Sequence, residues 1–148
     1  MHSFQETRTL PYSASIINEI IMDIEKYPQF LPWCKSATIL STDNACIIAE
    51  LTISFQGFSE TYKSKVFASK DKDNYLVETK GIQGSFKYLK NIWSIKQLNN
   101  YTKVNFLIDF ELKSKMLDAI IGKAFFFVSK KLIDAFEDRA KKLSTGQV

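Results

Sequence analysis

The stretch that decides the fold is residues 115–143, KMLDAIIGKAFFFVSKKLIDAFEDRAKKL. It is long enough for about eight helical turns, contains no proline, and has Gly122 as its only glycine. A helix this long and this apolar needs a broad concave partner, which we expect to be a curved sheet formed by the preceding chain. Its apolar residues recur at steps of three and four, which gathers them on one face; they are Leu117, Ile121, Ala124, Phe125, Val128, Leu132, Ala135, Phe136 and Leu143.

Most of residues 35–113 shows the alternation of apolar and polar side chains that is typical of antiparallel strands with one buried and one solvated face. The predicted strands are Lys35–Thr42, Cys46–Phe55, Phe58–Ser69, Tyr75–Lys80, Phe86–Leu98 and Tyr101–Lys113. Turn residues separate them at Asp43-Asn44, Gln56-Gly57, Asp71–Asn74, Gly81–Gly84 and Asn99-Asn100.

A first strand and a short helix are predicted ahead of these strands. His2–Leu10 is the strand, and it ends at Pro11. Ser13 or Ser15 can cap the helix, because a serine side chain accepts a hydrogen bond from a free N–H group of the first turn. Isoleucines follow at helical spacing, and Pro28 ends the helix, since a residue before proline is pushed away from helical angles.

The segment YPQFLPWC, residues 27–34, links this helix to the sheet. Its two prolines make a stiff turn, and Phe30, Leu31 and Trp33 are too apolar for a free surface loop. They either plug the end of the core or form the rim of a pocket. The order of strand, helix, six strands and long helix predicts an α+β fold with an antiparallel sheet, and we take residues 1–148 as a single domain.

The composition, 45% hydrophobic and 24% charged, is that of a soluble globular protein. Twelve Phe, six Tyr and two Trp fit either a large aromatic core or an aromatic-lined pocket. No signal peptide is recognisable and no run of about 18 apolar residues occurs, so no membrane span is predicted. Cys34 and Cys46 lack the spacing of a zinc site and are expected to be reduced. We predict a cytoplasmic protein, with a peripheral contact at the inner membrane as an alternative.

Basic residues are unevenly distributed in this chain, whose net charge is +4. Residues 80–108 contain no acidic residue. Their lysines are either solvated side chains on outward strand positions or a basic face for RNA phosphates or anionic lipid headgroups. These lysines are Lys80, Lys87, Lys90, Lys96 and Lys103.

Residues suited to catalysis are sparse. His2 is the only histidine, and no nucleophile or ligand set accompanies it, so neither a catalytic triad nor a metal site can be assembled. The segment 81–84 lacks the glycine spacing of a phosphate-binding loop. Asp109 and Glu111 are the nearest approach to an acid pair, and two outward carboxylates on a strand are more often surface charge. We therefore predict a binding protein that is not an enzyme and requires no cofactor.

Three motifs occur in this order of strands and helices: YPQFLPWC (27–34), GSFKYLKNIW (84–93) and DFELKS (109–114). With them the chain resembles, from Thr7 to Ala140, the coenzyme Q-binding START-like family of the polyketide cyclase and lipid-transport superfamily. That family also includes the bacterial ribosome-association toxins. The resemblance implies a helix-grip fold, in which a curved antiparallel sheet wraps around a long C-terminal helix and encloses an apolar cavity.

The two branches of this family imply different functions. The quinone branch implies non-catalytic binding of ubiquinone or a polyprenyl relative, as a carrier that supports respiration. The toxin branch implies binding to the large ribosomal subunit and a block of subunit joining, as half of a toxin–antitoxin pair. Trp33 is nearer to the quinone branch, because toxin relatives often have glycine there. Ser85 stands where proline is usual, which is expected to leave the loop at Gly84 less rigid. We favour the carrier and keep the toxin as the alternative; neither predicts binding to DNA.

A quinone ligand would need two kinds of environment. The tail needs an apolar groove, in which each buried methylene contributes about 0.8 kcal/mol, and the headgroup needs aromatic stacking and one or two hydrogen-bond donors. For the headgroup at a cavity mouth we predict Phe30, Trp33, Asn91 and Trp93, with Leu31 in the same turn. For the tail groove we predict Phe106, Phe110, Ile121, Phe125 and Val128. Plain core packing is the alternative for each of them.

Phe125, Phe126 and Phe127 are consecutive and span about 200° of helix, so they cannot all face the sheet. Phe125 is expected to face the sheet, and Phe127 to contact the first helix or a neighbouring loop. Phe126 is expected on the polar side, either as a boundary residue or as a contact for a membrane or a protein.

Overall fold

A computed structural model describes residues 1–43 and 46–146. Its elements are β1 (His2–Leu10), α1 (Ala14–Met22), a short 3-10 helix (Ile24–Gln29), β2 (Cys34–Thr42), β3 (Ile47–Phe55), β4 (Phe58–Asp71), β5 (Asn74–Gly84), β6 (Phe86–Gln97), β7 (Thr102–Leu112) and α2 (Lys115–Ser144). All strand pairs are antiparallel, and the sheet order is β1-β7-β6-β5-β4-β3-β2. The prediction of an α+β helix-grip fold is confirmed.

The long helix α2 begins and ends close to the predicted positions. The Ser114 side chain accepts a hydrogen bond from the Leu117 N–H group at 3.2 Å, a cap that contributes about 1 kcal/mol. Thr145 ends the helix, and its N–H group donates to the Lys141 carbonyl. The buried face is narrower than the apolar pattern suggested, and it comprises Leu117, Phe125, Ser129, Ile133, Phe136 and Ala140.

Two side chains of β1 hold this strand against α2. The Arg8 guanidinium lies 2.7 Å from Asp134 and 3.2 Å from Glu137. The His2 Nε2 atom lies 3.1 Å from an Asp118 carboxylate oxygen. His2 sits so close to α2 that a Cβ atom on Gly122 would lie 2.4 Å from its ring, which explains the glycine within this helix.

The first helix ends earlier than predicted. Ser13 caps it by accepting from the Ile16 N–H group at 3.3 Å, but the α-helix stops at Met22. The Asp23 N–H group closes its last turn, and the chain then continues as a 3-10 helix that contains Pro28. The prediction that Pro28 ends the α-helix was therefore wrong: the tighter helix accommodates the proline after the α-helix has stopped.

The predicted loop between Gly81 and Gly84 is also wrong, because β5 continues through both glycines. Gly81 allows the Leu89 side chain of β6 to approach within 3.0 Å of its missing Cβ position. Gly84 has φ +118°, and a Cβ there would lie 2.6 Å from the Thr61 carbonyl oxygen. Ser85, at the family proline position, donates from its hydroxyl to Glu60, and its carbonyl accepts from the Lys113 N–H group at 2.9 Å.

Register irregularities accompany the curvature of the sheet around α2. They lie in β2 at Cys34/Ser36 and Ile39/Ser41, between β4 and β5 at Lys63/Ser64, and in β6 at Phe86/Tyr88. The predicted turn at Asp43-Asn44 falls partly on Asn44, which lies outside the described residues. The concave face of the curved sheet meets α1 and α2, and the convex face is turned to solvent.

Candidate ligand-binding cavity

The space between the sheet and α2 is hollow. One lobe, called the α1 lobe, has a volume of about 120 Å³ and is bordered by Ile21, Ile24 and Phe136. A second, the α2 lobe, has about 140 Å³ and is bordered by Ile121, Phe125 and other α2 residues. A single water needs only about 10–15 Å³ on this measure, so each lobe has room for a molecule much larger than a water. They share walls, and we treat them as one cavity; the shared residues are Trp33, Ile53, Tyr62, Leu89, Phe106, Ile108 and Leu132.

Nine of the ten predicted ligand-binding residues line this cavity. Leu31, Asn91 and Trp93 border the α1 lobe, Phe110, Ile121, Phe125 and Val128 border the α2 lobe, and Trp33 and Phe106 border both. The exception is Phe30, which lies behind the wall. Its ring packs edge-on against Phe136 at 5.2 Å and lies under the Arg139 guanidinium.

The predicted cavity mouth does not include Trp93. This side chain is only 4% exposed, and its ring packs against Phe106 at 4.7 Å and Phe136 at 4.9 Å. Trp33 is half-buried where the two lobes meet. The two tryptophans of the chain therefore both border the cavity, at different depths.

Four hydroxyl groups on the cavity wall were missed from the sequence: those of Tyr62, Ser64, Thr79 and Ser129. Within residues 1–43 and 46–146, every fully enclosed side-chain oxygen or nitrogen has a hydrogen-bond partner. No side-chain hydrogen bond joins these four hydroxyls to another of the same residues, and all four belong to residues that border the cavity. They are available to a ligand.

Three polar side chains gather on the sheet side of the α1 lobe. Thr79 of β5 is directly opposite Asn91 of β6, and Ser64 of β4 is diagonal to Thr79 because Ser64 pairs with Gly81. The Asn91 Nδ2 atom donates to the Leu107 carbonyl at 2.9 Å, which leaves the Asn91 Oδ1 atom as an acceptor. We call Ser64, Thr79 and Asn91 the polar corner. Strand parity could have indicated it, since Ser64 shares the inward side of β4 with Val66.

The ionisable groups on the wall are neutral at physiological pH. Burial raises the pKa of the Tyr62 and Tyr27 hydroxyls well above the ordinary value, and the Tyr27 hydroxyl donates to the Ile21 carbonyl. Burial also raises the pKa of the Cys34 thiol to about 11. Asp, Glu, Lys, Arg and His are missing from the described lining. The cavity therefore suits an uncharged, mainly apolar molecule with a few hydrogen-bonding atoms.

The residues considered for catalysis lie away from this cavity. Asp109 and Glu111 are on the convex face, where Asp109 accepts from the Ser3 hydroxyl and Glu111 pairs with Lys87 at 3.3 Å. His2 pairs with Asp118 and is not part of the lining. In the described part of the chain no group of three or more His, Cys, Asp or Glu side chains could hold a metal ion.

The predicted basic residues lie on the convex face, with one addition. Lys80 of β5 pairs across the sheet with Lys90 of β6 and, on its other side, with Lys65 of β4, which was not among the predicted basic residues. These three lysines form one cross-strand row, called the lysine row, although like charges in such positions repel. Lys96 and Lys103 form a second direct pair. The described helices include none that is long and apolar enough to cross a membrane.

Comparison with known proteins places this geometry in a family. The family model described as polyketide cyclase / dehydrase and lipid transport matches residues 10–137. The chain is 42% identical to the Ribosome association toxin RatA of Rickettsia prowazekii, over 97% of this chain and 99% of the relative. It is 27% identical to the mitochondrial coenzyme Q-binding protein coq10 of Schizosaccharomyces pombe, over 95% of this chain and 88% of the relative.

Solved structures agree with this result. An 18 kDa protein of Caulobacter crescentus is 31% identical, with a TM-score of 0.78 over 98% of this chain and 99% of its own. The Zhui aromatase/cyclase of a Streptomyces species is 15% identical, with a TM-score of 0.78 over 95% of this chain and 94% of its own, and shares the fold. Similar proteins thus include some named for binding, some named as toxins and some that are enzymes. The chain belongs to the polyketide cyclase / dehydrase and lipid transport family.

Proposed function

We propose that this protein binds ubiquinone or a related prenylquinone in the cavity, without catalysis, and acts as a lipid carrier that supports respiration. The observation that carries the proposal is the hollow interior, whose wall is apolar except for neutral hydroxyl and amide groups. The relative named coenzyme Q-binding protein supports the same ligand class. We further propose that residues 1–148 act as one cytoplasmic domain and require no cofactor other than this ligand.

In this proposal the polar corner binds the quinone ring and the α2 lobe binds the prenyl tail. A quinone ring accepts hydrogen bonds at its two carbonyl oxygens, and the Ser64, Thr79 and Tyr62 hydroxyls are donors with no competing protein partner among the described residues. The ring would stack on Trp93 in the α1 lobe. The prenyl tail would extend into the α2 lobe between Phe110 and Val128, because most of that wall is apolar and each buried methylene contributes about 0.8 kcal/mol.

Tryptophan fluorescence can test this proposal directly. Trp33 and Trp93 are the only tryptophans and both border the cavity, so a quinone that enters should quench most of the emission. Purified protein is titrated with a short-tailed ubiquinone, and an organic extract of the unwashed protein is analysed for prenylquinones. We expect saturable quenching at one ligand per chain. An empty extract together with no quenching would refute the proposal.

The lysine row favours a second function, association with the large ribosomal subunit. Lys65, Lys80 and Lys90 place three lysines in line on solvent-facing strands, an arrangement that suits RNA phosphates. Lys80 also lies 3.5 Å from a Glu78 carboxylate oxygen, and Lys90 is directly opposite Asp109 of β7. A relative with 42% identity is named a ribosome association toxin. Cavity and lysine row lie on opposite sides of the sheet, so the two functions are compatible.

Sedimentation with purified large ribosomal subunits tests this second function. The wild type should co-sediment at low salt, and the triple variant Lys65→Gln, Lys80→Gln, Lys90→Gln should not. The matched control, Lys115→Gln, Lys141→Gln, Lys142→Gln, removes three exposed lysines of α2 instead, and it should co-sediment like the wild type. If the two variants co-sediment to the same extent, the lysine row is not the contact surface. If the wild type does not co-sediment at low salt, the proposal of ribosome association is refuted.

A further inference from the structure

The outward face of α2 is unusually apolar over its N-terminal half. Among the described residues, the most exposed large apolar side chains are Met1, Met116, Phe126 and Phe127, which are 65–66% exposed. Three of these four lie on α2 within about three turns. The prediction that Phe127 contacts α1 or a loop was wrong, because its side chain points to solvent. Exposed aromatic residues in such a group indicate an interaction surface.

The charges around these rings are positive. The Lys130 Nζ atom lies 5.6 Å from the ring centre of Phe126, and the Lys131 Nζ atom lies 5.4 Å from that of Phe127. Lys123 lies one turn before Phe127 and is exposed. We call these five residues the docking face. One acidic group from a neighbouring strand reaches it, since Lys130 lies 3.8 Å from a Glu6 carboxylate oxygen.

Acidic side chains are distributed unequally along α2. Residues 115–133 contain one, Asp118, and it is engaged by the Leu112 N–H group and by His2. The C-terminal half contains Asp134, Glu137 and Asp138. The apolar part of the helix is therefore also its cationic part. This combination matches an anionic lipid surface, where phenylalanine rings enter the interfacial region and lysines meet phosphates.

We propose that the docking face binds the surface of an anionic lipid bilayer. A second copy of this chain is a poorer occupant, because a symmetric contact would set lysines against lysines. Ile121, Phe125 and Val128 lie on other sides of the same turns and border the cavity, so α2 of the docked protein lies between the bilayer and the cavity. The inference goes beyond the proposed ligand and does not depend on it, since the surface is separate from the cavity wall.

Vesicle flotation tests the proposal without any quinone. The vesicles are phosphatidylcholine alone or an equal mixture of phosphatidylcholine and phosphatidylglycerol. We expect the protein to float with the mixed vesicles only, and less so as salt screens the lysines. The variant Phe126→Ser, Phe127→Ser should weaken binding by about tenfold or more per ring. The variant Lys123→Gln, Lys130→Gln, Lys131→Gln should weaken it by about fivefold per lysine.

Matched controls lie away from the docking face. Phe67→Ser removes a phenylalanine that is 38% exposed, and Lys35→Gln, Lys70→Gln, Lys72→Gln removes the same number of charges from exposed sites outside the lysine row; both should float like the wild type. Phe127→Ser alone serves if the double variant does not fold, because Phe126 packs edge-on against Phe4 at 5.6 Å. The proposal is overturned if the wild type fails to float with mixed vesicles, if the controls lose as much binding, or if the docking-face variants instead dissociate a dimer.

Discussion

The two faces of the sheet are made by the same strands and have opposite properties. In β6, Leu89, Asn91 and Trp93 face the cavity, whereas Lys90 and Lys96 point from the other side into solvent. The concave face is apolar, incompletely filled and carries hydroxyl groups without protein partners in the described chain. The convex face is solvated and carries most of the strand lysines, some of them beside acidic partners such as Glu78 and Glu111. Because side chains alternate along a strand, one segment can serve an apolar ligand and an anionic partner, and each can be altered without the other.

The largest expected effect concerns packing on the concave face. Phe136→Ala should lower the free energy of unfolding by about 3 kcal/mol, because this ring is 8% exposed and contacts Trp93, Tyr27 and Phe30. Phe67→Ala on the convex face should cost less than about 1 kcal/mol. Urea denaturation measures both variants. Similar losses would show that the two faces contribute equally to stability, against this account.

The next effect concerns the reactivity of a cavity thiol. Because burial raises the Cys34 pKa from 9.0 to about 11, its thiolate should be about a hundredfold scarcer than in an ordinary thiol near pH 8. In a Cys46→Ser background, alkylation of Cys34 should be slow, should accelerate with rising pH, and should slow further when ubiquinone fills the cavity. The rate is followed by mass spectrometry. Fast alkylation that ubiquinone leaves unchanged would place Cys34 outside the binding space.

A smaller effect is expected where β1 closes the concave side against α2. Partial burial raises the Asp118 pKa, but hydrogen bonds from the Leu112 N–H group and His2 outweigh burial, and the pKa lies below its ordinary value of 3.8. The carboxylate therefore stabilises the fold fully at pH values well above 3.8, and this contribution is lost as the pH falls through the lowered pKa.

Asp118→Asn should accordingly reduce the free energy of unfolding at neutral pH by about 1 kcal/mol, with little difference from the wild type in strong acid. Urea denaturation across a pH series measures this difference. A difference that stayed constant with pH would assign the effect to packing rather than to charge.

The smallest effect concerns repulsion within the lysine row. Lys65→Glu places an opposite charge directly across from Lys80, so stability should rise by about 0.5 kcal/mol. Binding to the large ribosomal subunit should fall at the same time, because a negative charge then replaces the positive charge at one end of the lysine row. A rise in stability together with a loss of ribosome binding would show that the lysine row serves a partner at a cost in stability. A loss of both would indicate a structural role for Lys65.

Periodicity predicted which side chains face inward, and this covers much of the fold. The alternation in β7 correctly assigned Phe106 and Phe110 to the concave face, and the steps in α2 correctly assigned Phe125. Periodicity does not give the volume left between two buried faces. The aromatic content left a solid core and a lined pocket as alternatives, and the family resemblance favoured the pocket. Phe30 was misplaced because its direction depends on the 3-10 helix, whose geometry carries no periodic signal.

The polar corner required strand register, which the sequence does not provide. Ser64 and Thr79 are separated along the chain by a hairpin, and only the pairing of Thr79 with Asn91 and of Ser64 with Gly81 brings the three side chains together. Single serine and threonine residues on an inward strand position are also common in ordinary cores. The direction of Phe127 similarly depends on where α1 crosses α2, and this crossing is set by tertiary packing.

One measurement tests the central claim that a hollow, ligand-binding interior lies behind the concave face. Ile108 borders both lobes, and its neighbour Leu107 points to the convex side. Ile108→Phe should fill the space where the two lobes meet and weaken ubiquinone binding at least about tenfold. The affinity is measured by the quenching of tryptophan fluorescence. Leu107→Phe, with the same added volume, should bind like the wild type. Equal ubiquinone affinity in the two variants, with both still folded, would contradict the account.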